Sequence, residues 1–264
     1  MSSNNDSISK TLTVVISLCL VCAIVVSTAA VQLRPTQQAN KKLDSQINIL
    51  RSVGLVEGSA PAAKVAELFS KHIETRLVNL QTGEIDASCD VACAEAFDYR
   101  KALKEGQALA QADDVASIRR ISERAPVYLT YDAERNLKAV VLPVHGYGLW
   151  STMHAFLAIE TDGNTIIGLN YYEQGETPGL GGEIENPRWR AQFVGKQLTN
   201  DAGELALTIL KPGNADPQSA HQVDGLSGAT LTANGVQNTF TFWIGESGFG
   251  PFLSKVRQGA LTNG

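Results

Sequence analysis

Cysteine is scarce in this chain of 264 residues: there are four, of which Cys19 and Cys22 fall in an apolar run, leaving only Cys89 and Cys93, in CDVAC, for everything else. A zinc site would need two further ligands and His72 is the only nearby donor, so no metal site is expected. On a helix the spacing sets both thiols on one face, where a bridge is possible but closes too short a loop to staple a domain. Histidine is as sparse, and His72, His145, His154 and His221 lack the i, i+4 spacing of a helical metal pair. Cationic excess is missing too: 22 basic residues face 27 acidic ones, a formal charge of −5, which does not suit nucleic acid or anionic headgroups. No G-x-G-x-x-G joins a strand to a helix, since the glycines of HGYGLW and PGLGGE lack that spacing, and this argues against a nicotinamide site. No Ser-His-Asp set, nucleophilic cysteine, internal repeat or low-complexity tract is present, and Glu183 and Glu185 read as a solvated pair. No catalytic residue is therefore expected.

What the sequence has in abundance is one uninterrupted apolar segment. Residues 11–31, TLTVVISLCLVCAIVVSTAAV, contain no charge, proline or glycine. As a helix of about 1.5 Å per residue they would be about 30 Å long, the thickness of a bilayer's hydrocarbon core. Small residues at Ser27–Ala30 would suit a signal peptidase, but the run is longer and its start less basic than a cleaved signal requires, so it reads as an uncleaved anchor. Cys19 and Cys22 read as lipid-facing or packing thiols. Lys10 precedes the run, whereas Arg34, Lys41 and Lys42 follow it, a balance that by itself would leave the main domain in the cytoplasm.

Beyond the anchor, QQANKKLDSQINILRSVGL carries apolar residues at helical spacing and ends in Gly54, predicting a helix leading away from the bilayer. A helix is expected after Pro61, then ETRLVNL and a Thr-Gly turn, and a further helical stretch in ACAEAFDYRKALKEG. From Ala125 the character changes: PVYLTYD, LKAVVLPV, MHAFLAIE and NTIIGLNYY are rich in β-branched and aromatic residues with turns between them, the pattern of a mostly antiparallel sheet. NPRWRAQFVGK reads as a helix, LALTIL as a strand and TLTANGVQNTFTFWIGES as the closing helix. The fold class expected is α+β, with a tail (1–10), a transmembrane helix (11–31), a helical or mixed segment (32–124) and a main domain (125–264). Clustered strands do not favour a doubly wound nucleotide fold.

Three segments set glycines beside groups able to hydrogen-bond or stack: HGYGLWSTMH, EQGETPGLGGEIE and VDGLSGATLTANG. The plain reading of the first is a turn with Trp150 in the core, and of the second a surface loop. An exposed Leu180 between Gly179 and Gly181 would, however, offer a flat group something to lie against. In the third, Ser227, Thr230 and Thr232 precede a helix, where a hydroxyl serves as N-cap. A helix start also gathers free amides and partial positive charge, which favour a phosphate, and Gly228 and Ala229 would let it approach closely.

The anchor, GYGLWSTM, NYYEQGETPGLGGEIENPRWRAQFVGK and DGLSGATLTANGV, in this order, resemble the C-component family of bacterial Na+-translocating NADH:quinone reductases, and the resemblance spans essentially the whole chain. It implies that a flavin transferase joins FMN by its phosphate to Thr230, the last residue of SGAT, with Asp224, Ser227, Gly228 and Ala229 completing the motif and Thr232 as the rival hydroxyl. Leu180, Thr177 and Trp150 are the expected ring contacts, and Gly179 and Gly181 are counted with the cofactor-binding residues. The resemblance further implies a single-pass protein of the bacterial inner membrane with its flavin domain on the periplasmic side, against the count of basic residues. It would work with sister subunits, as one relay between NADH and quinone in a complex that moves Na+, and would not be active alone. The G-component of the ferredoxin-linked Rnf complex shares SGAT and an ETPGLG-like loop; GYGLWSTM and the long segment before residue 125 favour the C-component of the Na+-translocating reductase. A membrane-tethered scaffold in which SGAT only caps a helix is the reading of a different class.

Overall fold

The computed structural model describes residues 7–58 and 60–261; residues 1–6 of the expected tail and 262–264 of the expected main domain lie outside the described residues. Two compact units divide at Ser45/Gln46. The first belongs to helix α1, Ile8–Ser52, whose 45 residues include the whole apolar run. Among the described residues it is the one helix long and apolar enough to cross a membrane. The expected anchor and approach helix are thus not two helices: the chain passes through Pro35 without leaving helical geometry. The expected glycine stop is present, since Gly54 has φ 71° just past the last turn.

Within the second unit, five antiparallel strands form the main sheet in the order β1-β4-β5-β6-β7. These are β1 (Ile73–Asn79), β4 (Arg124–Tyr131), β5 (Leu137–Tyr147), β6 (Thr152–Glu160) and β7 (Ile166–Glu173). ETRLVNL supplies β1, which pairs with β4 along its full length from Ile73↔Thr130 to Asn79↔Arg124. Two short strands, β2 (Gln107–Ala108) and β3 (Arg120–Ile121), make a separate ladder. LALTIL yields only β8 (Thr208–Leu210), which runs parallel to β9 (Gln222–Asp224).

Helix α2 (Ala62–His72) follows Pro61 as expected. The alanine-rich stretch, by contrast, is two helices, α3 (Val91–Ala96) and α4 (Tyr99–Glu105). Two N-caps explain the break: the Asp90 side chain accepts from the Cys93 amide at 2.8 Å and that of Asp98 from the Lys101 amide at 3.0 Å. Cys89 and Cys93 form a disulfide across the start of α3, and Cys89 is buried with Leu77 and Ala94. The helix expected in NPRWRAQFVGK is short, α5 (Pro187–Ala191), with Asn186 as its cap and proline at its start. Helix α6 (Thr230–Ile244) fills most of the expected closing helix, but α7 (Gly250–Arg257) follows it.

One face of the sheet carries Val127, Val140, Leu142, Ala155, Leu157 and Leu169, which close the main core together with Val236, Phe240 and Trp243 of α6 and Phe252, Leu253 and Val256 of α7. The period of two turns the alternate residues the other way. On that side Tyr128 meets Phe156 edge to face and Phe156 stacks on Tyr172. His145 and His154 lie opposite each other across β5 and β6 with rings 5.2 Å apart. Burial above all, with the positive charges of His154 and Arg100, drives the His145 pKa down to about 3; burial and Arg100 drive that of His154 down to about 4. Both rings are neutral at pH 7. The last turn of α1 reaches this side as well, where Asn170 donates to Asn48 Oδ1 at 2.9 Å and accepts from Arg190.

Helix α6 rests on β5 at very short range. A Cβ at Gly235 would strike the Tyr147 carbonyl oxygen and come within 3.0 Å of Gly148 Cα. Because the obstacle is backbone, it cannot swing aside as a side-chain tip would. We expect Gly235→Ala to cost about 1–3 kcal/mol of stability despite its better helix propensity. A thermal midpoint equal to or above that of the wild type would contradict this contact.

Candidate functional site

The carboxyl end of β7 runs into Gln174–Gly182, and this loop brings the three glycine-rich segments together. At its centre is Glu176, only 4% exposed. Its Oε1 accepts from the amides of Trp150 at 2.9 Å and Ser151 at 3.1 Å, and its Oε2 from the amide of Leu149 at 3.0 Å and the hydroxyl of Thr232 at 2.7 Å. One carboxylate thus ties the GYGLWS turn to the first turn of α6. Two glycines make room for it: a Cβ at Gly148 would stand 2.7 Å from Oε1, and one at Gly181 would stand 2.9 Å from Oε2 and 2.5 Å from the Thr232 hydroxyl. Burial presses the Glu176 pKa upward, but hydrogen bonds from Thr232 and the Trp150, Leu149 and Ser151 amides outweigh it and hold the group below its usual value. It is ionised at neutral pH.

SGAT forms the entry to α6. Gly228 has φ 73°, a left-handed conformation that suits glycine, and a Cβ there would be 3.1 Å from Leu180 Cδ2. Ala229 occupies the N-cap position and no side chain caps the helix. The first amides of α6 therefore lack the acceptor a serine or aspartate would have supplied. Thr230, the first helical residue, is exposed, as are Ser227 and Gly228. Thr232 has the opposite environment, 1% exposed with its hydroxyl committed to Glu176. The two threonines that sequence leaves as rivals are separated by burial.

Leu180, Trp150 and Leu231 are 45%, 64% and 58% exposed, apolar side chains held in water around the start of α6. Trp150 does not fill the core. Thr177 and Gly179 lie on the exposed side of the loop, where the Thr177 carbonyl accepts from the amides of Leu180 and Gly182. Beside Leu180 and Ser227 a cleft of about 420 Å³ opens, lined also by Arg188, Trp189 and Gln192. Asp224 turns away from this gathering: its Oδ1 accepts from the amides of Asn214 and Ala215, while its carbonyl accepts from the Trp189 indole at 2.8 Å. It fastens the loop before β9 to the floor of the cleft. Among the described residues no group of three or more His, Cys, Asp or Glu could hold a metal.

The FMN-binding domain family matches residues 148–245, a span that starts at the GYGLWS turn and ends just past α6. The chain is 55% identical over 265 residues to the C-component of the Na(+)-translocating NADH-quinone reductase of Vibrio alginolyticus, covering 99% of this chain and 100% of that one. It belongs to that C-component family. The Yersinia pestis member is 53% identical over 264 residues, covering 99% of this chain and 97% of its own. Among solved structures, Shewanella oneidensis NqrC superposes with a TM-score of 0.76 at 34% identity, over 83% of this chain and 99% of that one. The corresponding component of the Parabacteroides distasonis reductase gives 0.65 at 30% identity, over 84% and 97%. The α+β class and the membership in a Na+-translocating NADH:quinone reductase, rather than in the Rnf complex, follow from these.

An FMN suits what the chain presents: uncapped amides for a phosphate, an exposed hydroxyl beside them, and apolar surfaces for a flat ring. The residue that sequence reasoning passes over is Glu176. Its one signal is a lone acid at the head of ETPGLGG, directly after a strand, which a surface-loop reading treats as solvated. We expect Glu176→Gln to lower stability at pH 7 by about 2 kcal/mol, since an amide cannot accept from four donors and its own N–H₂ faces them. A carboxylate held below its unfolded value, near 4.5, contributes stability that is present above that pH and lost as the pH falls through the folded value. The gap between wild type and variant should therefore narrow on acidification from pH 7 to 3; a gap that stays constant in thermal melts would refute the charged form.

Proposed function

We propose that this chain is the membrane-anchored electron relay of a Na+-translocating NADH:quinone reductase, carrying an FMN fastened through its phosphate to Thr230. When bound, the flavin supplies the electron-accepting and electron-donating chemistry. The protein's share is attachment, orientation and electrostatic setting. The observation that carries this reading is the contrast between two hydroxyls two residues apart: that of Thr230 is exposed at an uncapped helix start, and that of Thr232 is buried against Glu176. A phosphate on Thr230 would meet the free amides and the positive end of a helix of 15 residues. Leu180, Trp150 and Leu231 would support the ring, with Thr177, Gly179 and Gly181 shaping the loop that presents Leu180.

The periplasmic side is part of the same proposal. Disulfides persist in oxidising compartments, and the Cys89–Cys93 bridge belongs to such a place. It weighs more than three basic residues after the anchor. Sister subunits would deliver and remove electrons, and a flavin transferase would make the phosphoester during maturation.

Full-length protein from a host with the transferase tests this directly. On a denaturing gel the wild type and Thr232→Val should fluoresce under ultraviolet light and Thr230→Ala should be dark, with the mass of one FMN less water on the peptide spanning residues 224–236. A wild-type peptide of unmodified mass, or a fluorescent Thr230→Ala band, would sink the proposal.

A further inference from the structure

Glu176 is a buried anion without a cation. Among the described residues no Lys, Arg or His ion-pairs with it, and its charge is held by three backbone amides, the Thr232 hydroxyl and, at the longer distance of 3.5 Å, the Ser151 hydroxyl. Neutral donors stabilise a charge locally but do not cancel its field, because a dipole's potential falls off faster with distance than a charge's. The charged groups lining the cleft are Arg188, which is exposed, and Glu183, which is half-buried, both more open to screening by water and salt than Glu176. Glu176 is not screened that way, with Gly148 and Gly181 closed around it.

We propose that Glu176 sets the redox potential of the flavin, its buried negative charge disfavouring the electron-rich reduced form, and that the Thr232 hydroxyl moderates this charge. The inference rests on the reading of Thr230 as the attachment point. Thr230 and Thr232 share the first turn of α6, whose pitch is about 5.4 Å, so a group fastened to one begins within a turn of the carboxylate's partner. Trp150, a candidate support for the ring, is held through its own amide by the other oxygen of the same carboxylate, Oε1. The anion and the ring support are therefore joined by a hydrogen bond, the attachment point stands two residues from the hydroxyl bonded to the anion, and reduction adds negative charge in the presence of one that is already there. Glu176 touches no reacting atom; it acts through the field and through the placement of Trp150.

Two substitutions separate the field from mere loosening of the site. Glu176→Gln removes the charge and keeps the shape, so the midpoint potential should move upward. Thr232→Val keeps the charge and removes a neutral donor that offsets it, so the potential should move downward. Spectroelectrochemical titration of full-length wild type and both variants, each carrying covalent flavin, reads the two shifts. Opposite signs support the proposal; shifts of the same sign, or none, overturn it. If Glu176→Gln fails to fold or to load flavin, Thr232→Val decides alone, a downward shift supporting and an unchanged or higher potential overturning. A wild type without covalent flavin defeats the attachment reading instead, whereas a loaded wild type with unmoved variants defeats only the role of Glu176.

Discussion

A carboxylate withdrawn from water must be given donors, and Glu176 takes them from segments far apart in the chain. The amides of Leu149, Trp150 and Ser151 come from 25–27 residues upstream, and the Thr232 hydroxyl from 56 residues downstream. Each of these donors would cost about 1–3 kcal/mol if left buried and unpaired, so the arrangement is close to all or none. The site's geometry depends on this hub. Without it, the turn bearing Trp150 and the helix start bearing Thr230 would lose the hydrogen bonds that join them through one carboxylate.

The rest of the second unit can be understood as the support this hub requires. Helix α6 has to bring its first turn to Glu176 while its body stays pressed on β5, and the close approach at Gly235 permits both. Further along the same helix, the Trp243 indole donates to the His145 carbonyl, fixing its other end to the same strand. Beside it the His145 ring lies 5.0 Å from the Trp243 ring and stacks on His154, a histidine pair whose burial keeps it neutral. The aromatic and imidazole rings there add packing without adding charge to the interior.

Much of this is readable from the residues. The apolar run, the four strands after Ala125 and the long final part of α6 follow from periods and β-branched content, signals that are local. The gathering of GYGLW, ETPGLGG and SGAT into one place is legible only through the likeness to a family, because strand order and loop closure are not local properties. ETRLVNL does not announce itself as a strand: its identity as β1 depends on pairing with β4, some fifty residues on. The alanine-rich segment looks like one helix because Ala, Leu, Lys and Glu favour helix everywhere, while Asp90 and Asp98 as caps divide it. Glu176 escapes notice for a related reason: the donors that make an acid worth burying are backbone amides, which no side-chain pattern reveals. Asp224, expected in the cofactor motif, spends its carboxylate on the Asn214 and Ala215 amides.

Pro35 lies inside α1, four residues past Val31, the last residue of the apolar run 11–31. Having no N–H, it cannot donate to the Val31 carbonyl, and α1 lacks one rung of its ladder there. In hydrocarbon an orphaned carbonyl costs several kcal/mol, but at the depth of the headgroups hydration supplies the missing donor. If residues 11–31 span a bilayer, a carbonyl so placed fits the headgroup level, and a slide of α1 that drew it into the acyl chains would be resisted.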